Sequence, residues 1–186
     1  MDAISDASNT ATAVGTIDAC LSTTTGATFN VDVVIQGVTS ISGLEAHLLY
    51  DKLVLNVTAV SYNFLLASTG ATVTDLGDTT PDSDGDFEIG ALNFPLTGVS
   101  GSGVLARVTL KAIGTGSSAL DLTKVKLADG SGNPIPPSDA NKLYTGPVND
   151  AAIVVGSACV DTDGDGVIDA FDNCPAVANT NQLNTD

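Results

Sequence analysis

The sequence lacks the residue types that several classes of binding site need. It has no Trp, a single His, and only 6 Lys and Arg against 22 Asp and Glu in 186 residues, which gives a net charge of -16. Because these few basic side chains cannot neutralise a run of phosphates, we expect no nucleic acid partner. Sugar binding by stacked aromatic rings is weakly supported, because Tyr50, Tyr62 and Tyr144 are scattered along the chain.

Long apolar runs and catalytic constellations are also missing. No stretch approaches the roughly 20 consecutive apolar residues that a membrane helix needs, so we expect no membrane insertion. The only histidine, His47, has no marked Ser, Cys or Asp partner, and the Asp residues gather in turns instead of forming a pair in an apolar pocket. Three scattered cysteines and one distant His lack the spacing of a zinc site. The sequence therefore predicts that the chain is not an enzyme.

The abundant residue types indicate an all-β fold. Thr, Val, Asp and Gly suit strands and turns, whereas the strong helix formers Glu, Lys, Arg, Gln and Met are scarce. Alternating apolar and polar side chains predict strands over residues 28–38, 44–50, 53–60, 86–94, 104–113, 120–127 and 151–155. The short turn at Asp51 and Lys52 predicts that the strands on either side of it are neighbours. This rhythm is typical of an antiparallel β-sandwich of seven to nine strands.

Residues 161–172, D-T-D-G-D-G-V-I-D-A-F-D, have the ligand spacing of a calcium-binding loop. Carboxylates fall at loop positions 1, 3, 5, 9 and 12, and a Gly at position 6 permits the sharp turn. So many carboxylates cannot converge without a cation to offset their repulsion. The predicted ligands are the carboxylates of Asp161, Asp163 and Asp165, the carbonyl oxygen of Val167, Asp169 directly or through water, and Asp172 at the closing position.

A second acidic run, Asp82-Ser83-Asp84-Gly85-Asp86, begins like the first. It lacks a carboxylate where the loop would close, because that position is Asn93, although Glu88 could partly compensate. Two interpretations stay open for this run: a second calcium site, or a polar turn before the strand that follows.

Four sequence blocks resemble the successive blocks of a cohesin domain. They are G-A-T-F-N-V-D-V-V-I-Q-G-V, S-G-L-E-A-H-L-L-Y-D-K-L-V-L-N-V, G-V-L-A-R-V-T-L-K-A and L-A-D-G-S-G-N-P-I-P. The resemblance covers roughly residues 10–156, with Lys52 in place of the usual Pro after Asp51. It implies a jelly-roll sandwich of about nine strands, related to certain carbohydrate-binding modules, and a dockerin-type protein partner.

The residues after the acidic loop resemble a thrombospondin type 3 repeat. The resemblance rests on Asp172-Asn173-Cys174-Pro175, on Asn179 and Gln182, and on Cys159 shortly before the first Asp. It implies that calcium holds a segment with almost no apolar core. Asp186 would open the next repeat, so we expect the chain to be a fragment of a longer array.

The three cysteines allow more than one pairing. Cys159 and Cys174 flank the acidic loop, and a bond between them would brace it. Cys20 lies in an early strand that a sandwich could place beside the last one, so Cys20 could pair with Cys159 instead. The resemblance to type 3 repeats implies a third arrangement, in which Cys174 bonds to a cysteine of a following repeat.

Taken together, these features predict a flexible N-terminus over residues 1–9, a cohesin-like sandwich over residues 10–157 and a calcium-binding segment over residues 158–186. The primary hypothesis is an extracellular, non-catalytic interaction module on a calcium-stiffened stalk, whose partner is a dockerin-like protein or another copy of itself. One alternative is a structural subunit of a surface layer or filament, assembled by pairing of residues 9–21 or of an edge strand with a neighbouring copy. The other alternative is a carbohydrate-binding module with a polysaccharide ligand.

Overall fold

Residues 1–183 form nine β-strands and one short helical turn. The structure, a computed structural model, describes residues 1–183. Within them no helix is long and apolar enough to cross a membrane. The strands are β1 (Cys20–Thr23), β2 (Thr28–Ile41), β3 (Gly43–Leu49), β4 (Leu55–Ser61), β5 (Thr72–Asp75), β6 (Asp86–Phe94), β7 (Val99–Ala112), β8 (Gly116–Ala128) and β9 (Ala151–Val155), with a turn of 3-10 helix at Leu65–Ala67.

The strands form two sheets that pack face to face. The larger sheet has the order β1-β9-β8-β3-β6-β5, and the smaller has the order β2-β7-β4. All pairs are antiparallel except β1 with β9, which is parallel. The predicted all-β sandwich with a jelly-roll-like arrangement of about nine strands is confirmed.

Side-chain alternation decides which face of each sheet is buried. In β6, Phe87, Ile89 and Ala91 are almost fully buried between the sheets, whereas Glu88 and Phe94 lie on the other side. Burying a side chain such as Phe87 stabilises the fold by about 1.5–3 kcal/mol. We call the solvent side of the six-stranded sheet the outer face. It carries Glu45 and His47 of β3 beside Glu88 of β6.

The predicted pairing of the strands around Asp51 and Lys52 is wrong. β3 pairs with β6 and β8, whereas β4 pairs with β7 in the other sheet. The turn between them crosses from one sheet to the other. It is held by the amides of Val54 and Leu55, which donate to Asp51 O at 3.0 and 2.9 Å, and by the Leu53 amide, which donates to Asp51 Oδ1. The two strands therefore belong to different sheets.

Two short strands lie where the sequence shows little alternation. β5 falls within the polar stretch before the second acidic run, and only Val73 of its residues packs against the core. β1 is the early strand that contains Cys20, and it does lie beside the last strand, β9. Both occupy edges of the larger sheet, where a strand needs to bury only one or two side chains.

Residues 1–9, for which the sequence predicts flexibility, pack against the smaller sheet. Asp2 forms a β-bridge with Asp32 of β2, and Asp2, Asp32 and Asn9 are all buried. Asn9 Nδ2 donates to Asp2 Oδ2 at 2.5 Å and to Asp32 Oδ2 at 3.2 Å, while Arg107 of β7 donates two hydrogen bonds to Asp32. A buried polar network of this kind requires every member in place, which fixes the N-terminal residues.

Candidate calcium site

Three carboxylates converge at the start of the acidic loop. One oxygen from each of Asp161, Asp163 and Asp165 lies within 4.8 Å of the others. Asp161 is exposed, and the other two are half-buried. Oxygens at this spacing can share one cation with oxygen-to-metal distances of about 2.3–2.6 Å.

The turns that bring these carboxylates together depend on two glycines and on the carboxylates themselves. Gly164 and Gly166 have φ angles of +75° and +95°, which residues with a Cβ rarely adopt. Asp161 accepts hydrogen bonds from the amides of both glycines, at 2.8 and 3.0 Å. Asp163 and Asp165 each accept from the amide two residues later, at 3.1 and 2.9 Å. Alternate Asp residues therefore wind the loop into a tight coil, in which both oxygens of Asp161 accept hydrogen bonds from loop amides.

Two carboxylate oxygens of the acidic loop fit a divalent cation. Asp163 Oδ2 and Asp172 Oδ2 are buried and accept no hydrogen bond from any residue between 1 and 183. Partial desolvation raises the pKa of Asp163, and the negative charges of Asp165, Asp172 and Asp161 raise this pKa further. The hydrogen bond from the Asp165 backbone amide lowers it. Carboxylate oxygens held close to one another without donors are the ligands that calcium prefers. The residues present therefore fit calcium. The converging group consists of Asp161, Asp163 and Asp165, whereas Asp172 acts on Asp163 through its charge.

The two remaining predicted ligands have other contacts. Asp169 accepts hydrogen bonds from the amide and the hydroxyl of Thr162, at 2.7 and 2.6 Å, and these bonds lower its pKa. Its own amide donates to Val160 O at 2.8 Å. Asp169 thus ties the end of the loop to its beginning through Thr162. The Val167 amide donates to Asp165 Oδ1.

Three amide side chains after the loop form a hydrogen-bonded cluster that supports it. This amide clasp consists of Asn173, Asn179 and Gln182. The Asn173 backbone N–H donates to Gln182 Oε1 at 2.9 Å, and Asn173 Nδ2 donates to Gln182 O at 2.7 Å. Asn179 Nδ2 donates to Asn173 Oδ1 at 2.7 Å. The clasp reaches the carboxylates, because the Asn179 amide donates to Asp165 Oδ2 and Gln182 Nε2 donates to Asp172 Oδ1. Such outer contacts orient metal-binding carboxylates. The sequence marked these three residues only through a family resemblance and gave them no role.

A disulfide attaches the loop to the sandwich. Among the pairings left open by the sequence, the structure joins Cys20 to Cys159 with their Cα atoms 6.2 Å apart, and Cys174 is free and half-buried. The Cys159 amide also donates to Ser22 Oγ of β1 at 2.7 Å. Val160, the residue after Cys159, accepts a hydrogen bond from the Asp169 amide through its carbonyl oxygen. The disulfide therefore holds a residue that is bonded directly to the loop.

The second acidic run turns its carboxylates toward different protein donors. The Tyr50 hydroxyl donates to Asp82, His47 Nδ1 lies 2.7 Å from Asp86 Oδ1, and Asp84 Oδ1 accepts from the Asp86 amide. The run also continues into β6 through Asp86. These contacts favour the polar-turn interpretation over a second calcium site.

Comparison with protein families identifies the C-terminal segment. The thrombospondin type 3 repeat family matches residues 154–182, which include the acidic loop and the amide clasp. The predicted opening of a further repeat at Asp186 lies outside the residues that the structure describes. A comparison with curated proteins gave no match.

Solved cohesin domains share the fold of the sandwich. The non-cellulosomal cohesin of the hyperthermophilic archaeon Archaeoglobus fulgidus is 18% identical, covers 75% of this chain and 87% of its own, and has a TM-score of 0.52. The cohesin CaCohA2 of Clostridium acetobutylicum is 24% identical, with 75% and 88% covered and a TM-score of 0.53. A cohesin module from a Clostridium perfringens family 33 glycoside hydrolase is 13% identical, with 74% and 90% covered and a TM-score of 0.53. The chain therefore combines a β-sandwich that has the cohesin fold with a C-terminal segment that matches the thrombospondin type 3 repeat family.

Proposed function

We propose that the chain is an extracellular, non-catalytic module that binds a protein partner through its sandwich, residues 10–157, and that calcium stiffens the segment over residues 158–186. The disulfide between Cys20 and Cys159 supports an oxidising, extracellular compartment. The observation that carries the proposal is an exposed apolar patch at the C-terminal end of β6.

The patch consists of Phe94, at the end of β6, and Leu96, in the turn that follows. Phe94 is 69% exposed and Leu96 is 45% exposed. The outer face also carries polar pairs: Lys126 pairs with Glu45 at 2.5 Å, and His47 lies beside Asp86. An exposed aromatic anchor beside polar groups that can be solvated at the rim is the usual anatomy of a protein interface.

The partner that we propose is a dockerin. Cohesins from Clostridium thermocellum were solved in complex with dockerins, and they have the same fold as this sandwich. The net charge of -16 favours a partner with a basic contact surface and disfavours association with a second copy. Glu45, Asp86 and Glu88 are the outer-face carboxylates that such a surface would meet.

Purified dockerin modules, including those of the same source, test the partner. We expect at least one to bind, and we expect Phe94→Ala to weaken that binding by about 30-fold or more, as truncation of a central aromatic anchor does. Isothermal titration calorimetry with the full chain measures the affinity.

The matched control is Leu53→Ala, because Leu53 is 77% exposed but lies in the turn between the sheets. This variant should bind as the unmodified chain does. If no dockerin binds, the partner is wrong; if Phe94→Ala and Leu53→Ala bind alike, the binding face is wrong.

The second part of the proposal concerns calcium. Asp161, Asp163, Asp165 and Asp172 would hold the ion, with the Val167 carbonyl and with Asp169 directly or through water. Bound calcium would supply the positive charge that these carboxylates lack and would crosslink a segment with few buried apolar side chains. Phe171 and Val177 are exposed, and Val167 and Ile168 are only half-buried.

We expect calorimetric titration to detect one calcium ion per chain, with a Kd on the order of 10⁻⁴–10⁻³ M, as in other extracellular modules. Asp163→Asn with Asp165→Asn removes two charges from the cluster and should abolish the heat of binding. The control is Asp82→Asn with Asp84→Asn, which makes the same change of net charge in the second acidic run. That control should keep one full equivalent of calcium. Uptake that survives the first double variant, or that is reduced by the second, contradicts a single site at this loop.

The two alternative functions receive no comparable support. Tyr50 and Tyr62 are buried in the core, so they form no platform for a sugar ring. The N-terminal segment bonds within the chain, because Thr10 O accepts from the Val104 amide and Ala19 O accepts from the Ala152 amide. We therefore propose neither sugar binding nor assembly by strand exchange.

A further inference from the structure

One polar side chain interrupts the apolar inner face of β6 next to the patch of Phe94 and Leu96. Asn93 follows Phe87, Ile89 and Ala91 on that face and is fully buried. Its backbone amide donates to Ser42 O at 2.9 Å, which places it at the end of the six-stranded sheet. A core position between the sheets normally holds an apolar residue.

The side-chain amide of Asn93 joins two segments that are not part of the sheet. Its Nδ2 donates to Thr97 O at 2.9 Å, in the turn between β6 and β7, and to Leu66 O at 3.4 Å, in the 3-10 helix. We call residues 95–98 the β6–β7 turn. The turn packs closely against Gly130, because a Cβ at that position would lie only 2.2 Å from Leu96 O.

This arrangement is costly for the core. Asn93 Oδ1 and the nearby Ser42 Oγ are buried and have no hydrogen-bond partner among residues 1–183. A buried carbonyl without a donor destabilises the folded state, whereas Leu, of similar size, would have no polar atom to satisfy. A choice that weakens the core is expected where the residue serves a function.

We propose that Asn93 is a positioning residue that holds the β6–β7 turn so that Phe94 and Leu96 project from the outer face toward the partner. This inference rests on the proposed function. Asn93 itself touches no partner, since its side chain lies between the sheets. It acts by fixing the carbonyl of Thr97, three residues beyond Phe94.

Hydrogen exchange measured by NMR on the full chain tests the positioning without any partner. We expect Asn93→Leu to speed amide exchange in residues 96–98 by about tenfold or more, because it removes the donor to Thr97 O and Leu66 O. Asn93→Ala serves as a second variant and should loosen the same amides. Ser42→Ala removes the other unpartnered oxygen but leaves the bonds of Asn93 in place, so it should not change exchange in the turn.

Binding kinetics to the dockerin selected above test the role of that positioning. A turn that populates its binding-competent position less often lowers the association rate, whereas loss of an anchor side chain speeds dissociation. We expect Asn93→Leu to lower the association rate about tenfold with little change in dissociation, and Phe94→Ala to act mainly on dissociation.

Each result decides one part of the inference. Unchanged exchange in residues 96–98 of both Asn93 variants overturns the positioning role, whether or not any dockerin binds. Faster exchange with unchanged association overturns the link to recognition. If Phe94→Ala binds normally while the Asn93 variants loosen the turn, the proposed binding face fails and the positioning of the turn stands.

Discussion

Replacing Arg107 with Ala is expected to lower the free energy of unfolding by about 3–5 kcal/mol, because it leaves a buried carboxylate without its ion-pair partner. Asp32 is fully buried, and Arg107 donates to its two oxygens at 2.7 and 2.8 Å. The guanidinium also lies 4.8 Å from the centre of the Phe64 ring, a cation–π distance. Because the total stability of such a domain is about 5–15 kcal/mol, this loss is a large share of it.

The effect of Arg107→Ala should extend to the N-terminal residues, because Asp32 also accepts from Asn9 and pairs with the backbone of Asp2. Urea denaturation followed by far-UV circular dichroism measures the loss, since the chain has no Trp for fluorescence. Lys111→Ala is the control: Lys111 lies on the same face of β7 but is exposed. A loss for Arg107→Ala within about 1 kcal/mol of the control would show that the network contributes little.

The positions of most strands could be predicted, but their partners could not. Alternation in β2 or β7 indicates which side chains face the core, because a strand places successive side chains on opposite faces. It does not say to which sheet a strand belongs. β3 and β4 both bury leucines, so the turn at Asp51 is compatible with a hairpin and with a crossing between sheets, and only the packing of the whole sandwich selects the crossing.

The acidic loop was predictable for a different reason. Calcium requires carboxylates at fixed spacing, so the positions of Asp161, Asp163 and Asp165 are visible in the sequence, and the structure brings these three together. The hydrogen bonds of Asp169 to Thr162 are not visible, because ligand spacing says nothing about competing donors nearby.

The cysteine pairing depended on long-range topology that three cysteine positions do not contain. Cys20 and Cys159 are 139 residues apart in sequence, and they meet because β1 lies beside β9 in the larger sheet. Asn93 was missed because its neighbours fit an ordinary apolar strand, and a single polar residue at its end resembles the start of a turn.

Removing the disulfide should have the other large effect. We expect Cys20→Ser with Cys159→Ser to lower the free energy of unfolding by about 2–5 kcal/mol, because loop-closure entropy alone gives nearly 5 kcal/mol for a loop of this length. The bond also secures β1, a strand of only 4 residues at the edge of the sheet. In the double variant, hydrogen exchange should rise in Cys20–Thr23 and in residues 159–172, even with calcium present.

The control for this variant is Cys174→Ser, because Cys174 is free and its replacement should change stability by less than about 0.5 kcal/mol. Chelation separates the two supports of the segment. With the disulfide intact, removing calcium should speed exchange only from about residue 159 onward, since Cys159 still binds β1 through the bond to Cys20 and through Ser22 Oγ. If chelation alone also exposes β1 or lowers the melting temperature of the sandwich, calcium and not the disulfide holds the junction. Equal stability of the double variant and the Cys174→Ser control would show that the bond braces neither part.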